Sequence, residues 1–255
     1  MSGHSKWATI KHKKGAVDKA RGKAFAKLIR QVEVAAREGG GDRDANPTLR
    51  TMFAKAREAS VPLDTIERAV KRGTGELEGV TYEQISYEGY APSGVALIIE
   101  CLTDNRNRTG SEIRATFSKN GGSMAEPGAV AWQFERKGVV LVTRSVAGKP
   151  EVTEDDLMLA ALEAGAEDIE DSGDHWQVTT GATDLLGVRD AIEAAGMTVE
   201  SAEPTMLATQ SVPLSSEGDA RKVLHLIELF EDNDDVQNVY ANFDIPDDIL
   251  ELVGA

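Results

Sequence analysis

Six short stretches between residues 139 and 202 decide the fold class: Val139–Thr143 (VVLVT), Glu154–Ala164 (EDDLMLAALEA), Glu167–Asp171 (EDIED), His175–Thr180 (HWQVTT), Asp184–Ala195 (DLLGVRDAIEAA) and Thr198–Ala202 (TVESA). Read as strand, helix, strand, strand, helix and strand, they predict a ferredoxin-like sandwich, with two helices on one face of an antiparallel sheet. Glu154, Asp155 and Asp156 stand at a helix start, where negative charge complements the helix dipole without any ligand.

Working outward, residues 82–88 and 94–102 predict a hairpin joined by Gly89–Ser93. Its second strand holds Val95–Ile99, apolar on both faces and therefore expected inside a sheet. Thr109 with Glu112 reads as a capping box opening a helix with Ile113 and Phe117, which stops at Asn120-Gly121-Gly122. Val130, Trp132 and Phe134 alternate as a half-buried strand. Strand 206–213, helix 217–231 and strand 236–243 complete the chain. Val188, Ile192 and Glu193 recur 35 positions later as Val223, Ile227 and Glu228, so the last two strand–helix–strand runs look related. The fold class expected is α+β: a small helical N-terminal domain (1–79) followed by two ferredoxin-like sandwich domains. One of these (138–204) is inserted in the other (80–137 and 205–255). A single large mixed sheet is the alternative.

The helical domain begins with Phe25, Leu28, Ile29, Val32 and Ala36 at helical spacing, with Lys19, Lys23, Lys27, Arg30 and Arg37 around the opposite direction. Gly39-Gly40-Gly41 ends this helix. Asn46-Pro47 then supplies a cap and a first-turn proline for a second helix. Asp64 with Glu67 resembles a capping box for a third, which Gly73 closes. Ahead of these, Lys6 to Lys14 lacks apolar periodicity and reads as an extended arm.

Charge is segregated along the 255 residues. The net is -15, yet residues 1–30 hold nine Lys and Arg against one acidic residue, Asp18. Such asymmetry points to a polyanionic partner met basic end first; a merely solvated lysine-rich tail is the bland alternative. Apolar runs fall far short of the roughly 20 residues of a membrane span, and no apolar stretch follows the basic N-terminus as in a secretory signal. A cytoplasmic, membrane-free protein is expected.

Catalytic signatures are missing. His4, His12, His175 and His225 make no metal-ligand spacing with one another or with Cys101, the lone cysteine. Cys101 reads as a small buried hydrophobe, and His175 and His225 as structural. No phosphate-binding loop or nucleophile elbow occurs, so neither catalysis nor a cofactor nor a metal is expected. The stretch Thr103–Thr109 (TDNRNRT) stays open: Arg106 and Arg108 beside free helix N–H groups would suit an anion, while Asp104 and Asn105 would equally make a turn and cap.

Gly3–Trp7 (GHSKW), Ile10–Lys14 (IKHKK), Phe25–Ile29 (FAKLI), Gly39–Asp42 (GGGD) with Asn46-Pro47, Tyr87–Pro92 (YEGYAP), Thr103–Arg108 (TDNRNR) and Lys119–Gly122 (KNGG) resemble the YebC family, which includes the mitochondrial translational activator of cytochrome c oxidase. These motifs cover most of residues 3–138; beyond them the likeness is in length and element order. The resemblance implies a three-domain α/β architecture and a cytoplasmic, DNA-binding protein of the kind labelled probable transcriptional regulator. It also implies a second view, a ribosome-associated translation factor that assists difficult peptide-bond formation, notably at prolines.

The residues weigh these views only in part. Lysine binds phosphate as a point charge, and the basic region has few Arg, Asn or Gln suited to bidentate base contacts, which favours backbone recognition. Trp7 could stack on an unpaired base or anchor the arm. A helix-turn-helix around residues 60–63 keeps DNA open. The expected nucleic-acid contacts are Lys6, Trp7, Lys11, His12, Lys13 and Lys14 in the arm, and Lys19, Lys23, Lys27 and Arg30 along a helical rail. Arg106 and Arg108 form a secondary site. The partner is DNA or ribosomal RNA, the latter with the ribosome; a monomer is expected.

Overall fold

The computed structural model describes residues 18–148 and 150–254. Helix α1 (Asp18–Gly39) packs on α2 (Pro47–Glu58) and α3 (Leu63–Gly73). Val32, Ala36, Leu49, Ala56, Ile66 and Ala69 are buried between them, with Phe25, Leu28 and Ile29 packed at the margin. Asn46 caps α2 as expected: its side chain accepts from the Leu49 amide at 3.0 Å. The expected box at Asp64 does not form. Pro62 stands at the start of α3, and Asp64 pairs instead with Arg68, one turn on, at 3.0 Å.

Gly73 serves the crossing of α1 and α3 rather than the helix end. A Cβ there would collide with the Glu33 carbonyl oxygen and lie 2.7 Å from the Ala36 Cβ. The third helix therefore approaches α1 backbone to backbone.

Strands β1 (Glu83–Tyr90), β2 (Ala96–Thr103), β3 (Ser123–Ala125) and β9 (Val236–Ala241) form an antiparallel sheet of order β3-β1-β2-β9. Helices α4 (Arg106–Lys119) and α7 (Glu217–Glu231) belong to the same core, where the Phe117 and Phe230 rings meet edge to face with centroids 4.7 Å apart. As its sequence predicts, β2 is covered on both sides: Leu97, Ile99 and Cys101 enter this core, while Ala96 and Ile98 enter a second cluster with Val130, Phe134 and Tyr240.

The second sheet comprises β4 (Phe134–Thr143), β5 (Ala166–Asp171), β6 (His175–Gly181) and β7 (Val199–Ala208), in the order β5-β6-β4-β7. With α5 (Glu154–Ala161) and α6 (Leu185–Ala194) interleaved, it has the βαββαβ order read from residues 139–202. The two sheets are separate, which disposes of the single mixed sheet. The first is assembled from residues on both chain sides of the second.

Several boundaries differ from expectation. The break expected near residue 204 is absent, because β7 runs unbroken past Pro204, opposite Gly138. It is an edge strand, where a missing N–H costs no ladder bond. Strands β4 and β7 thus cross the expected 137/138 and 204/205 boundaries. Helix α4 begins one turn before the expected capping box, at Arg106, with Asn105 as cap. Trp132 belongs to a 3-10 turn (Ala131–Gln133) and not to a strand. Short strands β8 (Val212–Pro213) and β10 (Phe243–Asp244) pair in parallel, and α8 (Asp247–Gly254) closes the chain.

Gly73→Ala should lower stability by about 1–3 kcal/mol through overpacking. By contrast, Gly22→Ala, inside α1 with open space around its Cβ position, should raise it by roughly 0.5–1 kcal/mol. Urea unfolding of both variants checks the pair; equal and opposite behaviour from that expected would refute the close α1–α3 crossing.

Candidate nucleic-acid interface

The arm residues Lys6, Trp7, Lys11, His12, Lys13 and Lys14 lie outside the described residues. Lys19 falls on the first turns of α1. The rest of the expected rail is described, and it faces protein. Lys23 Nζ donates to the Asp232 carbonyl at 2.8 Å and to its carboxylate at 3.1 Å; Lys27 Nζ donates to the Glu231 carbonyl at 2.8 Å. Those carbonyls end α7, where partial negative charge accumulates and where α7 has no basic residue in its own last turn. Helix α1 supplies the missing cations.

Three residues further along α1, Arg30 reaches the Asp234 carbonyl at 2.6 Å and the Asp235 carboxylate at 2.9 Å, with its guanidinium 5.4 Å from the Tyr82 ring centre. Asp235 is only 4% exposed. Its other oxygen lies 2.7 Å from Arg108, 2.7 Å from the Thr109 hydroxyl and 3.2 Å from the Thr103 hydroxyl. Burial alone would push this carboxyl up. Hydrogen bonds from Arg108 and Thr109, with the charges of Arg108 and Arg30, outweigh it and hold Asp235 below its ordinary 3.8.

The Thr103–Thr109 stretch therefore divides. Asn105 caps α4 by accepting from the Arg108 amide, and Asp104 accepts from the Arg108 side chain at 2.9 Å, so the turn-and-cap chemistry is realised. Arg108 turns inward to Asp235. Arg106 turns outward, 3.8 Å from Glu83, on the wall of an open polar groove of about 910 Å³ shared with Tyr87, Asn107, Ser111 and Arg114. The two arginines do not converge on one anion site.

Two features escaped the sequence reading. Glu88 accepts the amides of Gly128, Val130 and Ala131 at 2.6–2.9 Å. Burial opposes its ionised form, yet these bonds hold its carboxyl below the ordinary value. The captured loop projects Trp132, 65% exposed, which alternation had placed in a strand. Glu88 follows a tyrosine inside a strand, and nothing in spacing distinguishes it from a solvated glutamate.

Other expected residues behave as ordinary structure. Cys101 is buried, and burial with the nearby Asp235 charge pushes its thiol up to about 12. His175 contacts Glu200, and His225 lies exposed on α7. Among the described residues no group of three His, Cys, Asp or Glu is placed to hold a metal ion, and no helix is long and apolar enough to cross a membrane. The turn between α2 and α3, with Ser60 at positive φ, gives a helix pair. The exposed start of α3, however, presents Leu63 and Asp64 in its first turn and Glu67 just after it. Carboxylates there would face phosphates if α3 entered a major groove.

Comparison with known proteins fits this architecture. Residues 5–76 match the model of the TACO1/YebC protein N-terminal domain, and residues 82–243 match that of the TACO1/YebC second and third domain. The chain belongs to the TACO1/YebC family.

Relatives in this family named "Probable transcriptional regulatory protein" include one from Parafrankia sp. (strain EAN1pec), 56% identical with both chains fully covered. Another, from Thermobifida fusca (strain YX), is 57% identical over 99% of this chain and all of its own. The crystal structure of a conserved hypothetical protein from Aquifex aeolicus is 44% identical, with a TM-score of 0.80 over 92% of this chain and 95% of that one. In the TACO1/YebC chain described here, several of the motifs that carry the resemblance are joints of the fold. Tyr87 donates to the Arg106 carbonyl, Glu88 holds the 128–131 loop, and Thr103 and Arg108 hold Asp235.

Asp235→Asn should destabilise the full chain by about 1–3 kcal/mol, less than for a fully buried pair because both arginines are partly exposed. The sign with pH follows from the lowered native pKa. The stabilisation is complete above the unfolded-state value near 3.8 and is lost as pH falls through the lower native value. The stability gap between wild type and Asp235→Asn should therefore close on acidification, as urea titrations between pH 7 and 2.5 would reveal; a pH-independent gap contradicts it.

Proposed function

We propose that this chain is a non-enzymatic regulator of gene expression that grips nucleic acid through its phosphate backbone. The observation that carries the reading is charge segregation: residues 1–30 hold nine basic residues and one acidic, in a chain of net charge -15. Lys6, Lys11, His12, Lys13 and Lys14 are the principal contacts, with Trp7 stacking on an exposed base and Lys19 continuing the line. Lys23, Lys27 and Arg30 take a second part, since the acidic segment 231–235 already occupies them as a phosphate backbone would. Arg106, on its open groove, remains an outlying contact; Arg108 does not, being held between two carboxylates, Asp104 and Asp235. The regulatory names of the relatives support the same class of function.

A ribosomal RNA target is the second reading. Lysine-rich contacts tolerant of sequence favour it, as does a third helix whose first turn is acidic. Both readings place the protein with nucleic acid and outside catalysis.

The test is the salt dependence of binding by the full chain to duplex DNA and to a structured ribosomal RNA fragment. Substituting Lys11, Lys13 and Lys14 together by Gln should flatten the log–log slope by roughly 2–3, at about 0.7–0.9 per lost phosphate contact. Lys23→Gln with Lys27→Gln should change it by less. An unchanged slope in the arm variant refutes the reading. Sedimentation with ribosomes that is lost at high salt, with crosslinks to ribosomal RNA, selects the second reading over the first.

A further inference from the structure

The sandwich built on β4–β7 carries an apolar surface that the nucleic-acid reading does not use. In α5, Leu157 and Ala161 face the core, while Met158 and Leu159, with Leu162 just past the helix end, are exposed, Leu159 84% and Leu162 61%. Leu186, at the start of α6, is 56% exposed. The two helices lie side by side and antiparallel. At one end the Gly165 turn meets Asp184, and at the other Asp156, Leu159 and Ala160 share a cleft with Ala195 and Met197. That cleft measures about 520 Å³, and Val146 and Val152 add to its apolar wall. The leucines thus extend from a cleft along the outer face of a helix pair, where an ordinary solvated helix presents polar residues.

The surroundings of this face are predominantly acidic, and Arg144, which lines the cleft, is tied to Asp171 and Glu151. Residues 151–196 contain 13 Asp and Glu and a single basic residue, Arg189, which is itself paired with Asp190. Glu154, Asp155 and Glu193 are exposed on the same two helices, and Glu163 is exposed in the turn after α5. Apolar anchors inside an acidic rim are complementary to a segment with apolar anchors inside a basic rim. A second copy of the chain would bring the same acidic rim against this one, and like charges would oppose the contact.

We propose that the outer face of α5 and α6, with its adjoining cleft, docks a basic amphipathic segment of another protein. Leucine-sized side chains of the partner fill the cleft and cover Leu159 and Leu162, and its lysines and arginines meet the acidic rim. The contact does not rest on the nucleic-acid reading, and it would let the protein hold a nucleic acid and a basic protein together.

The test uses the full chain and three helical peptides: one of leucine and lysine, its analogue with glutamate for lysine, and its analogue with serine for leucine. The leucine–lysine peptide is expected to bind, more weakly as salt rises, and the two analogues are not. Leu159→Ser with Leu162→Ser should weaken that binding at least about tenfold. Leu77→Ser, at an exposed leucine elsewhere, should leave it unchanged. Because all three leucines are exposed, thermal melts should match wild type and separate lost docking from lost folding. Equal affinity in the double variant, or equal binding of the glutamate peptide, overturns the proposal. So does a concentration-dependent dimer abolished by the double variant, or a photo-crosslink from position 159 to residues 1–17, because each assigns the face to another occupant.

Discussion

A carboxylate that has lost nearly all contact with water survives as an anion only where the fold replaces its hydration. At Asp235 that replacement comes from three distant parts of the chain. Arg30 arrives from α1, Thr103 from the end of β2, and Arg108 and Thr109 from the first turn of α4. Its backbone carbonyl also accepts the Leu102 amide, which continues the edge of β2 into the segment before β9. Leaving any of these groups unpaired would expose a buried charge or donor, so the helical domain, β2 and α4 are held in one mutual arrangement. The neighbouring Lys23 and Lys27 extend the joint over the carbonyl end of α7.

This joint changes the meaning of the basic face on α1. The acidic segment 231–235 presents carboxylates and helix-terminal carbonyls to three successive cations at helical spacing, much as phosphates would. The negative remainder of the molecule is therefore more than a repulsive body that orients the basic end. Part of it is the electrostatic partner that docks the N-terminal domain. The apolar face of α5 and α6, in turn, lies in a strongly acidic stretch of the chain.

Much of the fold was legible wherever periodicity had a single reading. The apolar stripe of α1, the Asn46 cap, the doubly buried β2 and the βαββαβ series all follow from residue spacing and turn chemistry. The misreadings share a cause: a residue's local signal was overridden by a distant partner. Thr109 looks like a helix cap but points at Asp235, 126 positions away. The separate strands expected at 198–202 and from 206 are joined through Pro204 into one edge strand paired with β4. Trp132 alternates like a buried strand residue but stands on a loop whose amides Glu88 has captured. The candidate site was less legible for the same reason. Sequence shows that Lys23, Lys27 and Arg30 share a face, yet no local pattern indicates that Glu231 to Asp235 will lie against it.

The most direct measurement of the central claim is a double-mutant cycle on Arg30 and Asp235, with Arg30→Ala, Asp235→Ala and the double variant unfolded in urea as full chains. The account predicts a coupling energy of at least about 1 kcal/mol, within the range for residues sharing one network. Strict additivity, with coupling below about 0.3 kcal/mol, would contradict it and return the basic face of α1 to solvent.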